Sequence, residues 1–227
     1  MSITILPNFI RATEQGRFHD ELGIWIRIAP SRRRQTSAAL FLDRDGVVVQ
    51  DPGYLYRVAD LELIPGAAKL IALANSRGIP VVEVTNQAGI GRGYYGWKEF
   101  LEVEEALASE LAIAGAGIDA VFACPYHRDG VGRWAHPAHP ARKPRPGMLL
   151  AAGEYLNLNL NRSWIVGDKI SDLRAGYNAG LRGGSHVLTG HGAEHRQSVL
   201  EWSVPEFDVK LCDSIADAAT LLDLLAT

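Results

Sequence analysis

Residues 39–46, with the sequence ALFLDRDG, constrain the fold of this chain more than any other segment. An apolar run that ends in two carboxylates and a glycine is typical of a buried strand followed by a turn. Side chains two apart in a strand point to the same face, so Asp43 and Asp45 are expected together at the strand's carboxyl end. Like charges that close need a cation or a proton between them. Asp-x-Asp-Gly also occurs in tight turns and calcium loops, and that alternative is open at this point.

Strand-like and helix-like segments alternate along the chain from residue 38 onward. The pattern predicts strands at 38–43, 79–85, 119–123, 163–167, 185–189 and 207–211. It predicts helices at 66–77, 97–114, 147–156, 170–180 and 214–225. Such alternation predicts right-handed βαβ units and a mostly parallel α/β sheet with helices on both faces. Residues 1–37 stand apart from this pattern, so we predict an N-terminal appendage at 1–37 and one domain at 38–227.

Composition narrows the environment and the partners of the chain. A net charge of −3 favours neither nucleic acid nor an anionic membrane as a partner. The two cysteines, Cys124 and Cys212, are too few for a disulfide framework and indicate a reducing compartment. No apolar run approaches the roughly 20 residues of a membrane span, and no basic-then-apolar secretory signal is visible. We therefore expect a cytoplasmic protein.

Polar residues follow the predicted strands at what should be one edge of the sheet. They are Thr85, Asn86, Gln87, Asp168 and Asp172, and Lys143 precedes the predicted helix at 147–156. Carboxylates around one point suit a hard cation such as Mg²⁺, and a lysine and a hydroxyl suit phosphate oxygens. An ionised aspartate facing a phosphoryl group can attack it, while a second carboxyl protonates the leaving alcohol and later deprotonates water. This division of labour explains why a phosphoryl-transfer site would contain Asp-x-Asp.

Four motifs in this order resemble those of the haloacid dehalogenase superfamily of phosphatases. They are Asp43-x-Asp45-Gly46, Thr85, Lys143 and Gly167-Asp168-x-x-x-Asp172. Gly53-Tyr54 and the segments 85–93 (TNQAGIGRG) and 142–148 (RKPRPGM) are similar to the D-glycero-D-manno-heptose 1,7-bisphosphate 7-phosphatases. The histidinol-phosphate phosphatases are close relatives of that family. The resemblance implies a three-layer Rossmann-like fold, and the short loops after the first two motifs leave no room for a large cap domain.

The resemblance also implies roles for individual residues. Asp43 would be the nucleophile and Asp45 the general acid and base. Thr85 and Lys143 would hold the phosphoryl oxygens. The structural alternative for each aspartate is a helix cap or turn, and for Thr85 an ordinary strand position.

The magnesium ligands implied by the resemblance are Asp43, the backbone carbonyl of Asp45, and Asp168. Asp172 would orient the metal's ligand shell. A first-turn partner of the helix dipole is the alternative for Asp172.

Substrate contacts are predicted in the segments that follow these motifs. Asn86 and Gln87 are candidates, and Arg92 and Arg142 are expected to clamp a second phosphate. Glycines around Arg92 would let a ligand approach the backbone. A glycine-rich surface turn with solvated arginines is the alternative.

A second metal is considered for the Pro-, His- and Arg-rich stretch after the third predicted strand. The family often holds zinc there through Cys-x-His and Cys-x-Cys, but Tyr126 stands where the first His would be and the later cysteines are missing. Cys124, His127, His136 and His139 instead offer one thiolate and three imidazoles, a plausible tetrahedral zinc set. The alternative is exposed loop histidines beside a buried cysteine.

The sequence thus predicts a Mg²⁺-dependent phosphomonoesterase acting on a small phosphorylated metabolite, with a sugar bisphosphate favoured. The specific expectation is a heptose 1,7-bisphosphate 7-phosphatase, with histidinol-phosphate phosphatase as the alternative enzyme. A non-catalytic phosphate-binding protein of the same fold is the alternative from another class.

Overall fold

The computed structural model describes residues 16–29, 37–202 and 204–225. Within these ranges eight strands form one sheet in the order β1-β2-β5-β4-β3-β6-β7-β8. The strands are β1 Arg17–His19, β2 Ile24–Ile28, β3 Leu40–Leu42, β4 Val81–Asn86, β5 Ala120–Cys124, β6 Trp164–Gly167, β7 Gly183–His186 and β8 Asp208–Leu211. The six strands from β5 to β8 in this order are parallel, whereas β1 and β2 pair antiparallel with their neighbours. The α/β fold with a mostly parallel sheet is confirmed.

Helices cover both faces of the sheet. They are α1 Ala67–Ser76, α2 Ala88–Arg92, α3 Trp97–Ile113, α4 Gly147–Leu156, α5 Ile170–Asn178, α6 Gly192–Glu201 and α7 Leu221–Leu225. Because neighbouring strand residues face opposite ways, Leu40 and Leu42 of β3 pack with α1, α3 and α7, while Phe41 packs with α4 and α5. Two hydrophobic cores therefore lie on either side of β3, and the strand that carries Asp43 is fixed at the centre of three layers.

The N-terminal segment contributes a β-hairpin to this sheet. β2 pairs with β5 from Trp25 opposite Ala123 to Ile28 opposite Ala120. Trp25 is buried, and its ring lies edge-on to Phe100 of α3 at 5.2 Å between centroids. The predicted appendage at 1–37 falls partly outside the described residues, and its described part extends the sheet of the main domain.

Most predicted elements coincide with observed ones, but three regions differ. Helix α6 was not predicted, because its sequence GAEHRQSVLE is polar and buries only Gly192 and Val199. The predicted helix at 214–225 is a 3₁₀ segment, Ile215–Thr220, followed by α7. The short helix α2 was also unpredicted, since the glycines at 89 and 91 weaken any helical signal. In the described ranges, none of the helices combines the length and apolarity that spanning a bilayer requires.

Candidate active site

A cavity of about 740 Å³ opens at the carboxyl edge of the parallel strands. Asp43 and Asp45 reach it from the end of β3, Asn86 from the end of β4, and Asp172 from α5, which follows β6. Ligands of open α/β sheets bind at this edge because the loops that leave the strands converge there. The edge predicted from the motif order is therefore the edge at which the structure forms its cavity.

Three carboxylates meet at the base of this cavity. Asp43, Asp168 and Asp172 each offer an oxygen, and these oxygens lie within 4.8 Å of one another. The Lys143 ammonium bridges two of them, with Nζ 2.9 Å from Asp43 Oδ2 and 2.7 Å from Asp172 Oδ1. All four residues are buried. Lys169 Nζ also lies 3.5 Å from Asp168 Oδ2. Two lysines still leave three acidic groups with an excess of negative charge, so the cluster attracts a further cation.

Asp168 provides the clearest indication of where that cation would bind. Its Oδ2 accepts a hydrogen bond from His191 N at 2.8 Å, whereas its buried Oδ1 has no hydrogen-bond partner in the described part of the chain. Burial, followed by repulsion from Asp172 and Asp43, raises the pKa of Asp168 to about 7. A buried carboxylate oxygen that lacks a donor, beside two more carboxylates, fits a hard cation such as Mg²⁺.

The turn after β3 is shaped around Asp168. Gly46 has φ +85° and Gly190 has φ +58°, and a Cβ on either residue would lie about 2.5 Å or less from Asp168 Oδ2. Thr189 Oγ1 donates to Gly46 O at 2.6 Å and joins the two loops. The glycine of the Asp-x-Asp-Gly motif is therefore required both by backbone conformation and by the close approach of a metal-ligand candidate.

Asp45 lies beside Asp43 in the cavity wall but has different partners. Its Oδ1 accepts from Arg44 Nε at 2.9 Å, and its Oδ2 accepts from Arg44 Nη2 and Gln87 Nε2, both at 3.1 Å. Burial, opposed by Arg44, raises the pKa of Asp45. This carboxyl is held in one orientation by three hydrogen bonds while it borders the cavity.

The three residues at the carboxyl end of β4, Thr85, Asn86 and Gln87, have different surroundings. Asn86 lines the cavity and exchanges two hydrogen bonds with the backbone of Lys143, at 3.2 Å and 3.1 Å. Thr85 is buried, and its Oγ1 accepts from Gln87 Nε2 at 2.8 Å. Gln87 is also buried and accepts from the Tyr95 hydroxyl. The structure therefore places Gln87 behind Asp45, and the residues that line the cavity do not include it, so a direct contact between Gln87 and substrate stays a prediction.

Basic side chains line the part of the cavity away from the acidic cluster. Arg92 and Arg142, both singled out from the sequence, lie there, and the structure adds Arg128 and Arg145. Arg92 donates hydrogen bonds to Tyr54 Oη at 2.8 Å and to Asp129 Oδ2 at 3.1 Å. Arg142 contacts the Tyr126 carbonyl oxygen at 3.0 Å. The cavity thus has negatively charged carboxylates at its floor and positively charged arginines along another part of its wall.

The mouth of the cavity contains a group that the sequence analysis missed. Asp51 Oδ2 lies 3.3 Å from His191 Nε2 and 3.5 Å from Lys169 Nζ. These residues come from the loops after β3, β7 and β6. The Asp-Lys pair at 168–169 was the available signal for Lys169, but nothing local in the sequence marks Asp51 or His191.

The structure does not assemble the zinc site predicted from Cys124, His127, His136 and His139. Of all described residues, the one group placed to share a metal is the acidic cluster. The Nδ1 atoms of His136 and His139 accept hydrogen bonds from the backbone amides of Ala138 and Ala141. Burial raises the pKa of Cys124 to about 12, which disfavours the thiolate that zinc requires.

Aromatic side chains, rather than a metal ion, hold this loop in position. Tyr126 stacks on His139, with the ring centroids 3.7 Å apart and the planes 3° from parallel. A Cβ on Gly23, in the turn of the N-terminal hairpin, would overlap with both rings. Phe18 of the same hairpin lies edge-on to Trp134 of the loop at 5.2 Å. The residue that replaces the expected first histidine therefore forms a stack that the hairpin covers.

A parallel α/β sheet that presents an Asp-x-Asp pair, two further aspartates and a lysine at its carboxyl edge defines an aspartate-based phosphatase. Residues 140–218 match the HAD-hydrolase-like family. A D-glycero-beta-D-manno-heptose-1,7-bisphosphate 7-phosphatase of Mesorhizobium japonicum is 50% identical over 165 residues, which are 72% of this chain and 76% of the relative. A D-glycero-alpha-D-manno-heptose-1,7-bisphosphate 7-phosphatase of Burkholderia mallei is 44% identical over 63% of this chain and 76% of the relative.

Solved structures agree with these relatives. A putative HAD-like phosphatase from Mesorhizobium loti superposes with a TM-score of 0.80 and 40% identity, over 92% of this chain and 96% of that one. A D,D-heptose 1,7-bisphosphate phosphatase from B. bronchiseptica, complexed with magnesium and phosphate, gives 0.69 and 30%, over 82% and 97%. The chain belongs to the haloacid dehalogenase superfamily of phosphatases, in the family that contains these heptose-bisphosphate phosphatases.

Proposed function

We propose that this protein is a Mg²⁺-dependent phosphatase that removes the 7-phosphate of D-glycero-D-manno-heptose 1,7-bisphosphate. The observation that carries the proposal is the cavity that joins the acidic cluster of Asp43, Asp168 and Asp172 to a wall of arginines. A bisphosphate needs one end where phosphate is cleaved and another where it is only bound. Relatives at 44–50% identity that bear this substrate in their names support the assignment.

Asp43 and Asp168, with the backbone carbonyl of Asp45, would hold the metal, and Asp172 would orient its ligand shell. The partnerless Oδ1 of Asp168 supports this set. A bound Mg²⁺ neutralises charge on the phosphoryl oxygens and so eases the approach of an anionic nucleophile. Lys143 would bind a phosphoryl oxygen from the other side while it remains close to Asp43 and Asp172.

Asp43 is the proposed nucleophile. Arg44 N donates to its Oδ1 at 2.7 Å, and Lys143 lies at its Oδ2, so the carboxylate is oriented toward the cavity by two fixed donors. One carboxylate oxygen forms a bond to phosphorus while the bond from phosphorus to the sugar oxygen breaks, which leaves an aspartyl-phosphate. Thr85 would bind a phosphoryl oxygen through its hydroxyl, which accepts a hydrogen bond from Gln87 in this structure.

Asp45 is the proposed general acid and base. It donates its proton to the departing sugar oxygen in the first step and removes a proton from the attacking water in the second. The second step breaks the bond between Asp43 and phosphorus and releases inorganic phosphate. Its raised pKa, caused chiefly by burial, favours the protonated form that the first step needs.

Arg142 is the side chain best placed to bind the second phosphate. Its guanidinium contacts a neutral carbonyl, that of Tyr126, whereas Arg92 is partly neutralised by Asp129. Arg128 and Arg145 add positive charge nearby. Asn86 holds the backbone of Lys143 through two hydrogen bonds. It would therefore position Lys143 and the neighbouring Arg142, in addition to contacting the substrate.

The test measures phosphate release from both anomers of the heptose 1,7-bisphosphate, from the heptose 7-phosphate and from histidinol phosphate. Arg142→Ala should lower kcat/KM for the bisphosphate about tenfold to a hundredfold, the value of one charge-assisted pair, and leave the monophosphates unchanged. Arg162→Ala, an exposed arginine just before the amino end of β6, is the matched control. A bisphosphate kcat/KM that survives Arg142→Ala and Arg92→Ala would remove the argument for that substrate.

The catalytic mechanism has a separate test. Asp43→Asn keeps the shape of the side chain but removes the nucleophile, so hydrolysis of every phosphate ester should be lost. Unaltered hydrolysis by this variant would contradict the aspartyl-phosphate route and favour a protein that only binds phosphate.

A further inference from the structure

Arg44, between the two motif aspartates, points away from the cavity and into the protein. Its side chain has no exposed surface. The guanidinium donates through Nε and Nη2 to the two oxygens of Asp45, at 2.9 Å and 3.1 Å, and through Nη1 to Glu104 Oε1 at 3.1 Å. It also lies over the Phe100 ring, 5.4 Å from the centroid. An arginine held on three sides cannot turn, so it fixes the plane of the carboxylate that it grips.

Glu104 connects Arg44 to the N-terminal hairpin. This glutamate lies on the buried face of α3, and its side chain is fully buried. Its second oxygen, Oε2, accepts from Arg27 Nη2 at 3.2 Å. Arg27 belongs to β2, in the hairpin that pairs with β5. A continuous line of charged contacts therefore runs from the hairpin, through α3, to Asp45.

The register of the sheet explains why these residues meet. Arg27, Val121 and Glu83 are paired across β2, β5 and β4, so their side chains share the face that α3 covers. Burial, and then the nearby Glu104, raise the pKa of Glu83 well above its ordinary value. Both guanidiniums, those of Arg27 and Arg44, donate to the carboxyl groups of Glu104 and Asp45 beneath the site. Glu104 and Asp45 thus have cationic hydrogen-bond donors on both of their oxygens, and this distinguishes them from Asp168 in the acidic cluster.

We propose that Arg44, Glu104 and Arg27 are positioning residues that hold the Asp45 carboxyl in the orientation needed for proton transfer to the leaving group. The proposal rests on the proposed function, in which Asp45 is the acid and base. It also gives the N-terminal hairpin a role in the reaction, although the described part of the hairpin does not line the cavity. Glu104 sets the orientation of Arg44, and Arg27 completes the partners of Glu104.

The experiment compares kcat/KM for two esters whose leaving groups differ in basicity. An alkyl phosphate, the heptose 7-phosphate, needs a proton on its departing oxygen, whereas p-nitrophenyl phosphate releases a stable phenolate and needs almost none. A misdirected acid therefore lowers the ratio of alkyl to aryl kcat/KM. Glu104→Gln should lower this ratio about tenfold and Arg27→Gln about threefold, because a displaced acid loses part of its hundredfold or larger contribution. The ratio does not depend on the fraction of folded enzyme.

Controls separate positioning from general stability. Arg27→Lys keeps the charge and should restore most of the ratio, and the double variant Arg27→Gln/Glu104→Gln should be no worse than Glu104→Gln, since Arg27 acts through Glu104. Arg17→Gln, an exposed arginine of the same hairpin, should leave the ratio unchanged. If Glu104→Gln does not fold, the two Arg27 variants decide the matter alone.

The outcomes also separate this proposal from the one on which it rests. Equal losses on both esters, or no loss on the alkyl ester, would overturn the positioning role while leaving the phosphatase assignment intact. Asp45→Asn should itself lower the ratio of alkyl to aryl kcat/KM more than the Glu104 and Arg27 variants do. An unchanged ratio in Asp45→Asn would instead refute the acid role of Asp45, and the positioning proposal with it.

Discussion

The acidic cluster and the histidine-containing loop both carry side chains that metals prefer. They differ in whether the charges and hydrogen bonds of those side chains are already satisfied by the protein. In the cluster, three carboxylates face two lysines, Lys143 and Lys169, and Asp168 keeps a buried oxygen with no donor in the described chain. In the loop, backbone amides already donate to the Nδ1 atoms of His136 and His139, and Tyr126 stacks on the His139 imidazole. The comparison teaches that a metal site is recognised by unmet charge and unmet hydrogen bonds, rather than by ligand type alone.

The largest effect should come from removing one charge of the acidic cluster. Asp168→Asn keeps the size of the side chain but weakens metal binding, so kcat/KM at saturating Mg²⁺ should fall about a thousandfold, equivalent to several kcal/mol of lost charge stabilisation. Steady-state phosphate release measures it. The matched variant in the loop is His136→Gln, which should change activity by a factor of about two or less. Similar losses in the two variants would abolish the distinction between the regions.

The second prediction concerns how Mg²⁺ and pH together affect stability. The pKa of Asp168 is about 7 in the folded protein and 3.8 in its reference state, so the folded state binds this proton more tightly. Its contribution to stability is full below pH 3.8 and is lost as pH rises toward 7 and beyond. Metal-free protein should therefore be less stable at pH 8 than at pH 6 through this group, and Mg²⁺ should raise Tm more at pH 8.

Thermal melting with and without Mg²⁺ at the two pH values measures this difference. At a hundredfold excess over Kd, the ion should add about 2.7 kcal/mol at pH 8. In Asp168→Asn the extra gain at pH 8 should shrink, since the group that titrates is gone. A Mg²⁺ effect that is larger at pH 6 would contradict the assignment of Asp168 as a ligand.

The third prediction tests whether aromatic packing, rather than zinc, stabilises the loop. Tyr126→Ala removes the stack on His139 and should lower the free energy of unfolding by about 2 kcal/mol, the scale of a partly buried aromatic side chain. Denaturant unfolding measures the loss. Tyr126→Phe is the control and should cost little, because the ring remains. Zinc bound stoichiometrically to the purified protein and lost in Cys124→Ser would show that the loop is a metal site after all.

The smallest effect is expected at Glu83, a buried acid outside the metal-binding cluster. Both of its oxygens lack hydrogen-bond partners within the described residues, and burial raises its pKa well above the ordinary value. The raised pKa favours the protonated acid, which a neutral amide resembles, so Glu83→Gln should change the stability at pH 7 by less than about 1 kcal/mol. A large loss of stability would mean that Glu83 is ionised and paired.

A good part of the fold was predictable, because apolar period and turn residues are local properties of the chain. All six strands from β3 to β8 overlap the predicted segments, as do α1, α3, α4 and α5. Helix α6 was missed because it buries so little that its sequence carries no clear apolar face. The antiparallel attachment of β2 to β5 was also not predictable, since strand pairing at an edge depends on contacts about 95 residues away in sequence.

The sequence by itself indicated which acids and which lysine meet at this edge, because Asp43 and Asp168 directly follow strands whose carboxyl ends come together, while Lys143 and Asp172 stand in motifs beside helix starts. Asp43, Asp168, Asp172 and Lys143 are in contact as a result. Only the tertiary structure decided how charges are shared: Arg27 reaches Glu104 across 77 residues, and Arg44 reaches it across 60. The physical reason is that the identity of a residue is local, whereas whether its charge and hydrogen bonds are satisfied depends on what the packing of distant segments places beside it.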